Sequence, residues 1–177
     1  MRYLLLALIA TLTSTFAHAG GVQMKEIKYR GGLVTFSIPK HWVEEYETDG
    51  GGMFYEDAPN SGTLRLNVIT AKSPKPLSAD AAYEELVAMK SINGKNVQHL
   101  ANGNAFATAI HHATEQGQGI TLFWWYVTNP VPPNHIRMAN FSYTVLATQE
   151  NSEQTHREVQ LLTESIKNAA FHPTLGQ

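Results

Sequence analysis

The chain has 177 residues, a formal net charge of −2 at pH 7, 43% hydrophobic and 16% charged residues, and no cysteine. So mild a charge argues against nucleic acid or an anionic membrane surface as partner. The lack of cysteine excludes disulfides, thiolate metal sites and thiol catalysis, so stability has to come from an apolar core.

Residues 1–19 read as a cleaved secretory signal. Arg2 gives a positive start, Tyr3 to Leu12 is a short apolar run, and Ala17-His18-Ala19 supplies the small-x-small site ahead of Gly20. That run is too short for a stable bilayer-spanning helix. The expectation is a soluble periplasmic or secreted product, residues 20–177, folding as a single domain.

The first predicted strand is Val22 to Tyr29, followed by a turn at Gly31-Gly32. In Leu33 to Ile38 the alternate residues Val34, Phe36 and Ile38 define one dry face, and Pro39 ends the hydrogen-bonding ladder. Trp42 is placed to fold back over that strand end as a core plug. Val43 to Thr48 and Met53 to Tyr55, separated by Gly50-Gly51-Gly52, read as a hairpin. Glu56 to Gly62 is a turn-rich loop whose oxygen-bearing residues fit no known calcium-loop spacing. Leu64, Leu66 and Val68 then alternate with Arg65 and Asn67, a strand with one dry and one wet face.

A first helix is expected after Ser78 as N-cap, with Asp80 in its first turn, an apolar stripe of Ala82, Leu86 and Met89 beside Tyr83 and Val87, and a stop at Asn93-Gly94. A short strand follows within Val97 to Leu100. Ala105 to His112 is a strand whose small face, Ala105, Ala107 and Ala109, lets a helix approach closely. Gly119 to Ala147 is the stretch the rest is arranged around, with the remaining strands expected to be added outward from it. Its first arm is apolar at Ile120, Leu122, Trp124 and Tyr126 and again at Phe123, Trp125 and Val127, so it belongs inside a sheet covered on both faces. Thr128 to His135 is expected as a proline-stiffened loop before the returning strand. Asn151 or Ser152 caps a second helix with Val159, Leu162 and Ile166 on one face.

The short connections make the sheet mostly antiparallel. The fold class expected is α+β, a central antiparallel β-sheet flanked by helices as an α/β/α sandwich. The chain resembles the Mog1/PsbP-like superfamily in three places: Phe36-Ser-Ile-Pro39 with Trp42, Gly62-Thr-Leu-Arg-Leu-Asn-Val68, and Ser165-Ile-Lys167 at the end of the last helix. That resemblance implies a scaffold for binding other proteins. Members of the superfamily bind a small GTPase or assist photosystem II assembly, and similar periplasmic folds include immunity proteins that block type VI toxins.

No catalytic motif emerges. His111 and His112 are adjacent on a strand and point to opposite faces, His156 has no zinc-motif partner at the right offset, and no nucleophile elbow or phosphate-binding loop is present. No catalytic residue, metal ligand or cofactor is therefore assigned. The reading is a non-enzymatic protein-binding module, with toxin neutralisation as its narrower form. Its contacts are assigned to Glu56 and Asp57 of the acidic turn and to Asn129, Val131, Asn134 and His135 of the proline-rich loop. Alternatives are a small-ligand or metal-binding envelope protein, or a hydrolase whose site no motif marks.

Overall fold

The computed structural model describes residues 22–90, 92 and 96–174. In chain order the elements are β1 (Met24–Tyr29), β2 (Val34–Pro39), β3 (Val43–Tyr46), β4 (Gly52–Tyr55), β5 (Thr63–Lys72), α1 (Ala81–Ala88), β6 (Gln98–His99), β7 (Ala105–Glu115), β8 (Gln118–Val131), β9 (His135–Leu146), α2 (Glu153–Lys167) and β10 (Ala170–Phe171). The expected signal segment, residues 1–19, lies outside the described residues. No described helix is long and apolar enough to cross a membrane.

Seven strands form one sheet in the order β3-β4-β5-β9-β8-β7-β6, and every neighbouring pair is antiparallel. β8 lies between β9 and β7, the interior position that its two apolar faces require. Phe123, Trp125 and Val127 of β8 enter the larger core with Leu64 and Leu66 of β5, Phe141 and Tyr143 of β9, Phe36 of β2, and Leu162 and Ile166 of α2. On the opposite face Tyr126 packs with Ala105 and Ala107 of β7 and with Ala82 and Leu86 of α1. The small β7 residues admit the helix, and Thr128 Oγ1 donates to the Ala82 carbonyl at 2.7 Å.

The strands before Pro39, expected to be added outward on the main sheet, are not part of it. β1, β2 and β10 make a separate three-stranded sheet on the α2 side. Pro39 ends β2, the Trp42 N–H bonds back to the Pro39 carbonyl at 3.0 Å, and the chain crosses to the larger sheet. Beyond β10 the exposed edge of β2 is closed by a side chain: Ser165 Oγ accepts from the Ser37 N–H at 2.9 Å and donates to the Ser37 carbonyl at 2.6 Å. A hydroxyl on α2 thus substitutes for a neighbouring strand.

Both helices differ in detail from expectation. α1 starts two residues later than Ser78 implies, with Asp80 as N-cap rather than inside the first turn, and without a side-chain cap bond. Met89 is already extended and Val87 is exposed; the stop signal at Asn93-Gly94 lies outside the described residues. In α2, Ser152 is the N-cap and its Oγ accepts from the Thr155 N–H at 3.1 Å.

The proline-rich segment is mostly strand. β8 runs through Pro130 to Val131, which pairs with His135, so only residues 132–134 remain outside the strands. Pro130 is tolerated because pairing with β7 stops at Thr128, and no ladder bond is asked of its missing N–H on that side.

Candidate functional site

The two groups of residues expected to form one contact surface sit at opposite ends of the sheet. Glu56 and Asp57 follow β4 next to Thr63, whereas Asn129, Val131, Asn134 and His135 lie beside Lys72 at the other end of β5. Nine strand steps separate them, on the order of 30 Å.

Val131 is not held out toward a partner: it is 2% exposed, because strand alternation continues through the prolines and turns it inward. The Asn129 amide donates to Asn104 Oδ1 at 2.9 Å, and Asn104 in turn donates to the Ala169 carbonyl at 3.2 Å, tying β8 to the end of α2. The Asn134 and Pro133 carbonyls accept from the N–H groups of Ser73 and Leu77 at 2.7 and 3.0 Å, which strap the turn down. His135 is half-buried opposite Val131 and Lys72. At the other end Glu56 lies 3.5 Å from the exposed His41 ring, and Asp57 is exposed.

The closest histidine–carboxylate pair is His112 with Glu150, Nε2 to Oε2 at 2.9 Å. Buried Thr121 donates its hydroxyl to the same Glu150 oxygen at 2.9 Å. A nucleophile–base–orienter chain needs the imidazole between hydroxyl and carboxylate, and here the carboxylate is central. The arrangement pins the β7–β8 hairpin to the segment before α2, and it does not activate the threonine. No group of three or more metal-ligating His, Asp or Glu side chains occurs among the described residues.

The Thr121 hydroxyl, and then the His112 ring, hold the Glu150 carboxyl below its ordinary value. A carboxyl depressed in this way contributes stability above its unfolded pKa and loses it as pH falls through the folded value. The expected outcome is that Thr121→Val raises the Glu150 titration midpoint measured by NMR, and His112→Ala raises it less. An unshifted midpoint in both variants would show that neither bond forms in solution.

A concave surface with convergent polar groups lies on the α1 side of the sheet, past the end of the short helix. Cross-strand pairing aligns Arg65, Ser142, Trp124 and Ala109 in one row, and Asn67, Asn140, Tyr126 and Ala107 in the next. α1 covers the alanine end of each row and leaves the other end to solvent. Trp124 is half-buried and stacked on Tyr126, with ring centroids 5.7 Å apart and planes 7° off parallel. Together with Arg65, Asn67, Asn140, Ser142 and the β3–β4 turn residues Glu47 and Asp49, it lines a cavity of 360 Å³. Asn140 Oδ1 is buried there and has no hydrogen-bond partner among the described residues. An orphaned acceptor beside an aromatic ring, with a guanidinium and two carboxylates lining the same cavity, is a surface equipped to bind a mixed polar and apolar partner.

Sequence reasoning missed this surface. The wet face of β5, Arg65 and Asn67, was legible, and so was the demand of Trp124 for cover. The missing step was that α1 is only eight residues long and covers too little of the face to meet that demand.

No protein-family profile and no curated protein matches the chain. Solved structures do share its fold. LpqN, described as involved in cell envelope biogenesis of Mycobacterium tuberculosis, superposes with a TM-score of 0.57 at 11% identity over 85% of this chain and 91% of that one. A protein from Bacteroides thetaiotaomicron gives 0.55 at 15% identity over 84% of this chain, and the match spans 48% of that longer chain. A mutant of Mog1 gives 0.50 at 13% identity over 84% of this chain and 96% of its own. The mostly antiparallel architecture with two helices is thus a fold shared with LpqN and Mog1. At these identities the likeness is one of fold alone.

Proposed function

We propose that this chain is an exported, non-catalytic binding module that engages another protein through the open sheet face around Trp124. The observation that carries the reading is the half-buried Trp124 beside Arg65 and the orphaned Asn140 acceptor, since tryptophan and arginine in a partly desolvated setting are the residues that dominate protein interfaces. Arg65 suits a carboxylate on the partner, Glu47 and Asp49 a cation, and Asn140 Oδ1 a donor. The Thr121–Glu150–His112 order, which activates no nucleophile, supports a non-enzymatic role.

Export rests on the Arg2, apolar-run and Ala17-His18-Ala19 pattern, and the fold shared with an envelope protein fits it. We read the layers, α1, the seven-stranded sheet, and α2 with the small sheet, as one α/β/α scaffold forming a single domain. The narrower form is an immunity or inhibitor protein whose partner is a secreted toxin. A second reading, a small-ligand carrier, is favoured by the apolar cleft of 510 Å³ between α1 and the far ends of β5 and β9, lined by Ile69, Met89, Ile136 and Met138.

A photo-crosslinker placed at the exposed Asn67 position, in cells exporting the protein, tests the first reading. The expected result is a discrete protein adduct, reduced at least tenfold by Arg65→Glu and by Trp124→Ala, a loss of about 1.4 kcal/mol in affinity. An adduct that survives both changes would move the contact elsewhere. Turnover of peptidoglycan, ester or peptide by the purified protein, abolished by changing one histidine, would overturn the non-catalytic reading.

A further inference from the structure

The two edges of the seven-stranded sheet are built differently. At one edge β3 carries Glu44 and Glu45, with Glu47 just beyond, and all three are exposed. A second strand laid antiparallel against a copy of itself there would bring carboxylates face to face, which disfavours pairing. At the other edge β6 covers β7 only at Ala105 and Phe106. From Ile110 to Glu115 β7 has no strand on its outer side among the described residues, and its side chains there are exposed. Ile110, His111, His112, Ala113 and Thr114 include no lysine, carboxylate or proline, so the usual guards against edge-to-edge pairing are missing. Ile110 is 56% exposed, a large apolar side chain set beside unpaired backbone.

The hairpin fixes which backbone groups are free. Gln116 and Gly117 both have positive φ, 49° and 81°, and form the two-residue turn that joins the directly paired Glu115 and Gln118. In such a turn the flanking pair exchanges both hydrogen bonds, and bonded and non-bonded pairs then alternate along the ladder. The N–H and C=O groups of Glu115, Ala113 and His111 therefore point to β8, and those of Thr114, His112 and Ile110 point outward. The same parity makes Phe106 an outward-facing residue, in agreement with its pairing to Gln98 of β6.

We propose that this edge pairs with the same edge of a second copy of the chain, antiparallel about a two-fold axis at His112, joining two seven-stranded sheets into one. In that register His112 meets its own copy, and Ile110 meets Thr114 of the other chain on either side. The outward groups then form about six backbone hydrogen bonds. Glu115 falls opposite Ala109, so no like charges meet. Each His112 ring is held by its own Glu150 at 2.9 Å, on the α2 face of the sheet. An isologous strand pair closes the assembly at two chains and leaves β3, with its carboxylates, as the outer edges.

Sedimentation equilibrium of the purified mature protein at micromolar to millimolar concentrations tests the pairing. The wild type should sediment as a dimer. Ile110→Lys, a change at an exposed side chain, should raise the dimer dissociation constant at least thirtyfold. Thr114→Pro, which removes an outward N–H without touching the ladder to β8, should do the same, and circular dichroism should show both variants folded. Glu44→Lys on the opposite edge should leave the dimer intact. A wild type that stays monomeric at millimolar concentration, or a dimer that withstands both Ile110→Lys and Thr114→Pro, would overturn the proposal.

Discussion

Trp42→Ala is expected to destabilise the protein by about 3–5 kcal/mol, the range for removing a buried tryptophan side chain. The ring is 3% exposed and stacks on Tyr143, with centroids 6.0 Å apart and planes 17° off parallel. It sits where the chain leaves β2 and crosses to the main sheet, so its loss opens a cavity at the junction of two sheets whose rigid strands limit collapse. With a urea m-value of roughly 1–3 kcal/mol per molar, the unfolding midpoint should fall by more than about 1 M. A midpoint within about 0.3 M of wild type would take Trp42 out of the core and make it a recognition residue.

The position of Trp42 was legible because a strand that alternates Val34, Phe36 and Ile38 and ends at Pro39 leaves one corner to close, and an aromatic three residues later can reach it. β5 was legible for the same reason and β8 by being apolar at both sets of alternate positions: such a pattern states which faces are dry. It does not state which strand is the neighbour. That is why β1 and β2, read as outer strands of a single sheet, instead form their own sheet with β10. The hydroxyl of Ser165 that closes the β2 edge is far away in sequence and carries no local signal.

The candidate site was harder to read because its defining property is an absence of cover. Trp124 and Tyr126 alternate identically in sequence, yet Tyr126 is buried under α1 while Trp124 stands at the margin of the helix. The difference is set by where the eight residues of α1 end. Prolines misled in the opposite direction. Pro130, Pro132 and Pro133 suggested a projecting loop, but a strand whose outer side has no partner accommodates proline, and the ladder to β9 carried Val131 into the interior.

Gly62→Ala is expected to cost about 3 kcal/mol, at or above the upper end of ordinary overpacking. Gly62 has no left-handed φ, so backbone strain plays no part. The cost is steric: a β-carbon there would lie 2.5 Å from Cε2 and Oη of Tyr143 and in collision with Cζ. Such a clash is mild only if the neighbour can yield, and Tyr143 is clamped. It is fully buried, one face lies against Trp42, and its hydroxyl donates to Glu158 while accepting from the Gly62 N–H at 3.1 Å. Burial, reinforced by the bond to Glu158, raises the Tyr143 pKa far above its ordinary value, so the phenol stays protonated and keeps its donor through any working pH. Because Trp42 is one jaw of this clamp, the two substitutions should not be additive. In the Trp42→Ala background Tyr143 gains room to tilt away, and Gly62→Ala should cost at least 1 kcal/mol less than it does alone, roughly the scale of coupling between residues that share a contact. Equal costs in the two backgrounds, measured by urea unfolding, would show that Tyr143 is not held by Trp42, and a Gly62→Ala cost near zero would show that the close approach of the ring to Gly62 does not exist in solution.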